Sequence, residues 1–338
     1  MTIRRALPAV LAAVLALGLA ACGERKEPAG GAGKTERVDL VLDWFPNADH
    51  AGIYNAIGRG DFSKAGLDVS PRAPGDTSSP LKLLSSGKAD LAISYEPEVL
   101  LARAKGAKVV AIGALVQEPL TSIMSIGDKA ITDPGQLEGR KIGTSGIPYQ
   151  DAYLQTIVKK AGIDPNRVHA VNVGFSLVPA LLTKKVDATL GAFWNVEGVE
   201  LARRHKNPRI LRMNRVGVPT YDELVVVARE QDVRTRGALL RRFMRALAVG
   251  HQALRKGIGG AVDALVAANP DLDRGLQRAQ VEATLPVFFP RDKSKPFGYQ
   301  DPAAWKAYTQ WMLDNGLIDS PAGATRAFTN EFLPGEGI

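Results

Sequence analysis

The chain has 338 residues, 43 basic and 35 acidic side chains, a net charge of +8 and a single cysteine. That length exceeds the usual single-domain size and calls for two lobes, while one cysteine rules out an internal disulfide framework. Arg-rich stretches such as "ALLRRFMRALAVGHQALRK" carry apolar residues at helical spacing, so they read as solvated helix faces and argue against a nucleic-acid footprint.

The first element expected is a secretory signal over 1–21. Arg4 and Arg5 precede an alanine- and leucine-rich run that ends in small residues, the marks of export. The run from Ala6 to Ala21 contains Pro8 and falls short of the roughly 20 residues a membrane-spanning helix needs. Leu19-Ala20-Ala21-Cys22 resembles a bacterial lipobox, which implies acylation of Cys22 and a lipid anchor in a membrane. Several acyl chains hold firmly where a single chain binds marginally. Residues 22–36, polar and glycine-rich, read as a flexible tether. Within them "GGAGKT" lacks the glycine of a phosphate loop five residues before Gly33, where Pro28 stands, and no strand precedes it.

From residue 38 strand and helix signals alternate. "VDLVL" reads as a strand and "AGIYNAIGRGDFSKAG" as a helix ended by glycines. A short strand "LDVSP" follows. "GDTSSPLKLLSSGKAD" has Ser79 as an N-cap, Pro80 at the first helical position and Gly87 past the end. "LAIS", "PEVLLARAKG" and "KVVAIGAL" continue as strand, helix and strand. Then "RKIGTSG", "VHAVNV" and "DATLGAF" read as strands, with helices "YQDAYLQTIVKKAG", "LVPALLTKK" and "VEGVELARRH" between and after them. This alternation argues an α/β fold with mainly parallel sheets flanked by helices. Segments 83–103 and 181–203 can be written over each other, each with a leucine pair, a strand, an aromatic-acidic turn and a Leu-Ala-Arg ending. Two similar lobes follow. With crossings at "LTSIMSIGD" and "YDELVVVARE", they cover 37–123 plus 223–338 and 124–222, joined by a two-strand hinge. Such hinges close around ligands.

No His-x-x-x-His pair, second cysteine, Gly-x-Ser-x-Gly elbow or Gly-x-Gly-x-x-Gly turn is present, so no metal, cofactor or catalytic site is expected. Four turns remain, rich in rings and carboxylates. Asp43, Trp44, Asn47 and His50 lie on the first, in "VLDWFPNADHAGIY". Ser94, Tyr95, Glu96 and Glu98 lie on the next; Phe193, Trp194, Asn195 and Glu197 lie on its counterpart; Tyr221, Asp222 and Glu223 lie at the second crossing. Taken singly, each has a plainer reading: a tryptophan in a core, acids at a solvated helix start, a histidine as a cap. Taken together, rings to stack on and carboxylates to accept from amino groups suit a flat heteroaromatic ligand. Ligands bind at the C-terminal ends of strands in open α/β sheets. Trp305 and Trp311 sit in a periodic helix and read as core.

"LDWFPNADHAGIY", "GDTSSP", "SGKADLAISYEPEVLLARAKG", "EPLTSIMS", "GRKIGTSG", "GAFWNVEG" and "TYDELVV" fall in order. Together they resemble the periplasmic-type binding proteins for thiamine-pyrimidine precursors, a family shared with eukaryotic thiamine-pyrimidine synthases. The resemblance implies a type II periplasmic-binding-protein fold, an ABC permease and its ATPase as partners, and an aminopyrimidine such as formylaminopyrimidine as ligand. The chain itself is expected to be a monomer. The synthase members consume bound pyridoxal phosphate and one of their own histidines, and they carry an iron-binding cysteine run. Here "GVPTYDELV" replaces that run, and Ser94 and Glu98 stand at the family's lysine and histidine positions. On this reading Trp44 walls one ring face, and Tyr95 and Trp194 close others. Glu98 and Glu197 accept from amino groups, while Asp43, Asn47, Asn195 and Tyr221 orient the ligand. The amides opening the "DTSSP" helix hold a polar substituent. Rival readings are a synthase-like enzyme, a binder of another flat or anionic nutrient (a riboflavin precursor, a sulfonate, nitrate), and a sensor of the same fold.

Overall fold

The computed structural model describes residues 35–128, 130–321 and 326–335, so the expected signal segment, Cys22 and the tether up to Lys34 lie outside it. Ten strands form among the described residues: β1 Glu36–Val41, β2 Leu67–Arg72, β3 Leu91–Ser94, β4 Val109–Val116, β5 Thr121–Ser125, β6 Lys141–Thr144, β7 His169–Asn172, β8 Ala188–Phe193, β9 Arg209–Arg212 and β10 Leu224–Arg229. They make two five-stranded sheets, ordered β2-β1-β3-β10-β4 and β7-β6-β8-β5-β9. Each sheet has one antiparallel strand, β10 in the first and β5 in the second. In both cases it is the strand laid down just after the chain crosses from the other sheet. The fold is the expected α/β, periplasmic-binding-protein type.

The equivalence anticipated from the paired segments holds in space. β3 and β8 take the third place in their sheets, and β1 and β6 the second. The buried runs explain the layers. Every residue of β4, "VVAIGALV", is buried, as expected for a strand covered on both faces. Helix Gly237–Leu254 packs on helix Ala51–Gly58 so closely that a Cβ on Gly250 would lie 2.5 Å from that of Ala56. The stretch around Phe328 bonds to Ala111 and covers the outer edge of β4, which removes a free strand edge.

Several boundaries differ from the sequence reading. β1 already begins at Glu36, where ion pairs to Arg236 and Arg242 hold the residue assigned to the tether. The division at 123/124 falls inside β5, which pairs with β8 and β9 along its length; by sheet membership the first crossing is 117–120. β9, "RILR", is an additional edge strand, half exposed and flanked by arginines. Ser79 sits at the cap of helix Pro80–Ser85, but its hydroxyl donates to the Asp76 carbonyl instead of capping. The C-terminal helices do not stay with the first sheet. Tyr308 and Trp311, on helix Pro302–Asp314, pack against Tyr153 of helix Pro148–Lys160, and Gln280 donates to the Val196 carbonyl.

Candidate functional site

A cavity lies where the C-terminal ends of the parallel strands of the two sheets face each other. The first sheet contributes Asp43 and Trp44 after β1, Asn47 beyond them, and Tyr95 after β3. The second contributes Ser145, Ile147 and Gln150 after β6, Leu177, and Gly191, Phe193, Val196 and Glu197 around the end of β8. The space between these side chains amounts to about 330 Å³ and is partly open to solvent. Its lining holds two carboxylates and no lysine or arginine.

Hydrogen bonds pin the first wall. Asp43 is buried, and its Oδ2 accepts from the Tyr95 hydroxyl at 2.7 Å. Its Oδ1 lies 2.9 Å from His50 Nε2. His50 Nδ1 accepts the Asn47 backbone N–H, so the ring carries its proton on Nε2 and donates to Asp43. Burial, then the Asp43 carboxylate, holds the Tyr95 hydroxyl well above the usual tyrosine range, which keeps it a donor. The Trp44 indole is set edge-on against Phe175 of the second lobe, 4.5 Å between centroids.

The second wall depends on a bulge. β5 pairs Ser122 with Ala192 and Ile123 with Leu190, leaving Gly191 unopposed. Gly191 has φ +121°, and a Cβ there would sit 2.5 Å from Gln150 Nε2. Only glycine meets both demands, and the bulge re-aims the strand end toward the cavity. The Gln150 oxygen accepts the Ser145 N–H and hydroxyl at 2.8 and 3.0 Å, so its amide nitrogen is the end nearest Gly191. Glu197 opens helix Glu197–Arg203, and its Oε2 accepts the Phe193 N–H at 2.7 Å. Burial pushes the Glu197 carboxyl up to about 7. It can therefore meet a ring nitrogen either as an acceptor or as a shared proton.

Of the expected site residues, Asp43, Trp44, Asn47, Tyr95, Phe193 and Glu197 come together on the cavity. His50 stands behind Asp43 and positions it. Trp194 does not line the cavity. Its indole donates to the Pro119 carbonyl at the first crossing and lies under the Arg212 guanidinium at 4.0 Å, because the bulge turns Phe193 and Val196 inward in its place. Glu98 is drawn away by helix packing and accepts the Tyr149 N–H, with burial pushing it up to about 7. Asn195 is buried against Asp49 and Thr284. Tyr221 donates to Glu223 in the hinge. Thr77 of the "DTSSP" segment reaches Ser145 with its hydroxyl, but that helix start is not part of the lining. Ser145, Ile147, Gln150, Leu177, Gly191 and Val196 were not anticipated. For Gly191 a signal existed, a glycine inside a strand pattern, which marks a bulge or a close approach.

The family model described as NMT1/THI5 like matches residues 47–256. The formylaminopyrimidine-binding protein of Halalkalibacterium halodurans is 33% identical over 299 residues, covering 87% of this chain and 90% of that protein. A 4-amino-5-hydroxymethyl-2-methylpyrimidine phosphate synthase of Aspergillus parasiticus is 25% identical over 310 residues, covering 88% of each. Among solved structures, the alkanesulfonate-binding protein SsuA from Xanthomonas axonopodis pv. citri bound to MOPS superimposes with a TM-score of 0.67 at 16% identity, covering 88% of this chain and 99% of that one. At that identity the likeness concerns the fold.

Proposed function

The chain belongs to the NMT1/THI5-like family, and on that premise we propose that it is the exported solute-binding protein of an ABC importer and captures an aminopyrimidine precursor of thiamine. A solute-binding role agrees with the fold and with the named relatives. The observation that carries the ligand class is the cavity lining: rings on both walls, two carboxylates and no basic side chain. A sulfonate or nitrate there would face Asp43 and Glu197 with no cation to offset them. An aminopyrimidine offers the complement, a ring to stack and N–H groups to donate.

In this reading Trp44 covers one face of the ring, and Tyr95 and Phe193 close its edges. Glu197 accepts from the exocyclic amine or shares a proton with the adjacent ring nitrogen. Asn47 and the Gln150 amide orient the substituents, while Asp43 acts chiefly by holding Tyr95 and His50 in place. The protein would have no turnover of its own: Ser94 and Glu98 occupy the places of a Schiff-base lysine and a donating histidine. The closed form would dock on a permease, with Cys22 acylated at the membrane.

The test is a thermal-shift panel of aminopyrimidines, thiamine, flavin precursors, pyridoxal phosphate and alkanesulfonates. A true ligand at a hundredfold excess over its Kd adds ~2.7 kcal/mol of stability. Stabilisation by formylaminopyrimidine or a close analogue is the expected result. Stabilisation by sulfonates alone, or by pyridoxal phosphate with product formed, would overturn the proposal.

A further inference from the structure

Beside the cavity, a buried polar contact joins the two lobes. Asp49, in the single turn Ala48–His50 after β1, is 1% exposed; Asn195, in the turn after β8, is fully buried. Asn195 Nδ2 donates to Asp49 Oδ1 at 2.6 Å and to Thr284 Oγ at 2.6 Å. The Thr284 hydroxyl donates to the Gln280 carbonyl at 2.8 Å, with Asp49 Oδ1 a longer alternative at 3.4 Å, so toward Asn195 it accepts. This fixes the amide orientation and uses both of its protons. Two buried acceptors are then left without a donor, Asp49 Oδ2 and Asn195 Oδ1. They belong to the same bonded pair.

We propose that Asp49 and Asn195 form a proton-operated latch across the cleft. With a proton on Asp49 Oδ2 donating to Asn195 Oδ1, the pair closes an acid–amide ring and satisfies both orphaned atoms; without that proton the closed form holds two unpaired buried acceptors. This deepens the binding-protein reading and rests on it only for the opening and closing of the lobes.

The surroundings favour the protonated form. Burial pushes Asp49 up to about 7, and the carboxylates of Asp43 and Glu197 add to the rise. His50 and the bond donated by Asn195 pull the other way; the His50 Nε2 proton is engaged by Asp43 and its Nδ1 by Asn47. Helix Arg274–Thr284 presents Gln277, Gln280 and Thr284 as its buried polar groups. Its charged residues are spent at the surface, Arg274 on Asp263 of helix Gly259–Ala268 and Arg278 on Glu282. On helix Glu197–Arg203, Glu200 pairs with Arg204. Helix Ala51–Gly58 carries no charged side chain.

The sign follows from proton linkage. Opening lets water reach Asp49 and returns it toward an ordinary aspartate near ~3.9. Closing therefore takes up a proton between the open and closed values. The closed-to-open ratio is highest on the acid side, falls by up to ~tenfold per pH unit as pH rises, and levels off above about 7.

The experiment is interlobe energy transfer in the full chain without ligand, with dyes at Lys88→Cys and Lys185→Cys and with Cys22→Ser, scanned from pH 5 to 7.5. Glu197, Glu98 and Glu223 are also raised by burial, so the diagnostic is the difference between parent and variant. Asp49→Asn supplies a permanent donor to Asn195 Oδ1. It should keep the parent's acid-side ratio across the range and lower the slope of the logarithm of the ratio by up to one proton. A parent ratio that does not change with pH, or an Asp49→Asn slope equal to the parent's, overturns the latch. Should that variant fail to fold, Asp49→Ala, which removes the acid altogether, should show a lower ratio at pH 5 and the same loss of slope; an unchanged slope there also overturns it. No ligand is added, so failure of the latch leaves the ligand proposal standing, and failure of the ligand panel leaves this result readable.

Discussion

Glu223 staples the hinge, and removing it gives a measurable cost. It lies on the second crossing, fully buried, and accepts bonds from the first. Oε2 takes the Leu120 N–H at 2.7 Å, the Thr121 N–H at 2.8 Å and the Tyr221 hydroxyl at 2.9 Å; Oε1 takes the Thr121 hydroxyl at 2.8 Å. In Glu223→Ala the hydroxyls can rotate toward other acceptors, but the two backbone N–H groups cannot. At ~1–3 kcal/mol for each buried donor left unpaired, the variant should lose about 2–6 kcal/mol. Glu223→Gln keeps one oxygen for the two amides and turns an NH₂ toward hydroxyls that can accept it, so its loss should stay below ~1 kcal/mol. Urea unfolding at pH 6 reads both. An alanine variant within ~1 kcal/mol of the parent, or a glutamine variant as damaged as alanine, would refute the staple. The carboxyl also carries a pH signature. Burial raises it to about 7 in the folded chain, against ~4.3 when unfolded. The native state then binds the extra proton between those values, and stability falls as pH rises through that window. Asp222, Glu98 and Glu197 are raised to about 7 by burial as well, so the parent should melt higher at pH 5 than at pH 7.5, and Glu223→Gln should show a smaller difference.

Two further outcomes are expected. Glu197→Gln keeps the bond from the Phe193 N–H through its oxygen but presents a donor to the ligand's amine; losing one bond to a charged acceptor, ~1.5–3 kcal/mol, should weaken aminopyrimidine binding ~10–150-fold by calorimetry, and an unchanged Kd would remove Glu197 from the site. Gly52→Ala would put a Cβ 2.1 Å from the ring of the buried His251; overpacking of that kind costs ~1–3 kcal/mol, visible as a lower midpoint in thermal unfolding, and a midpoint equal to the parent's would show that the ring has room to move.

The two walls of the cavity differ in how far they could be read in advance. Asp43, Trp44, Asn47 and Tyr95 stand directly after short apolar strands, where turn chemistry and strand direction are local properties of the chain. Phe193 and Glu197 were found by the same rule, through the repeated segment that marks the second lobe. Trp194, expected beside them, lies outside the cavity lining. One unopposed residue, Gly191, rotates the end of β8 and exchanges which ring faces inward, and a bulge is defined by the partner strand β5 as much as by β8 itself. Glu98 followed the same logic: its place on the helix start was right, but packing of that helix against Pro148–Lys160 turns it to the Tyr149 amide.

Periodicity, turn residues and the internal duplication, all local in the chain, determined two α/β lobes, the direction of their strands and the acidic, aromatic character of the turns between them. The tertiary structure decided which of those side chains share one cavity, that Gln150 and Ser145 join them, and that Asp49 meets Asn195 across the lobes. Those outcomes depend on contacts between residues more than a hundred positions apart, and no pattern along a single chain encodes the geometry by which such distant groups exclude water and find, or fail to find, a hydrogen-bond partner.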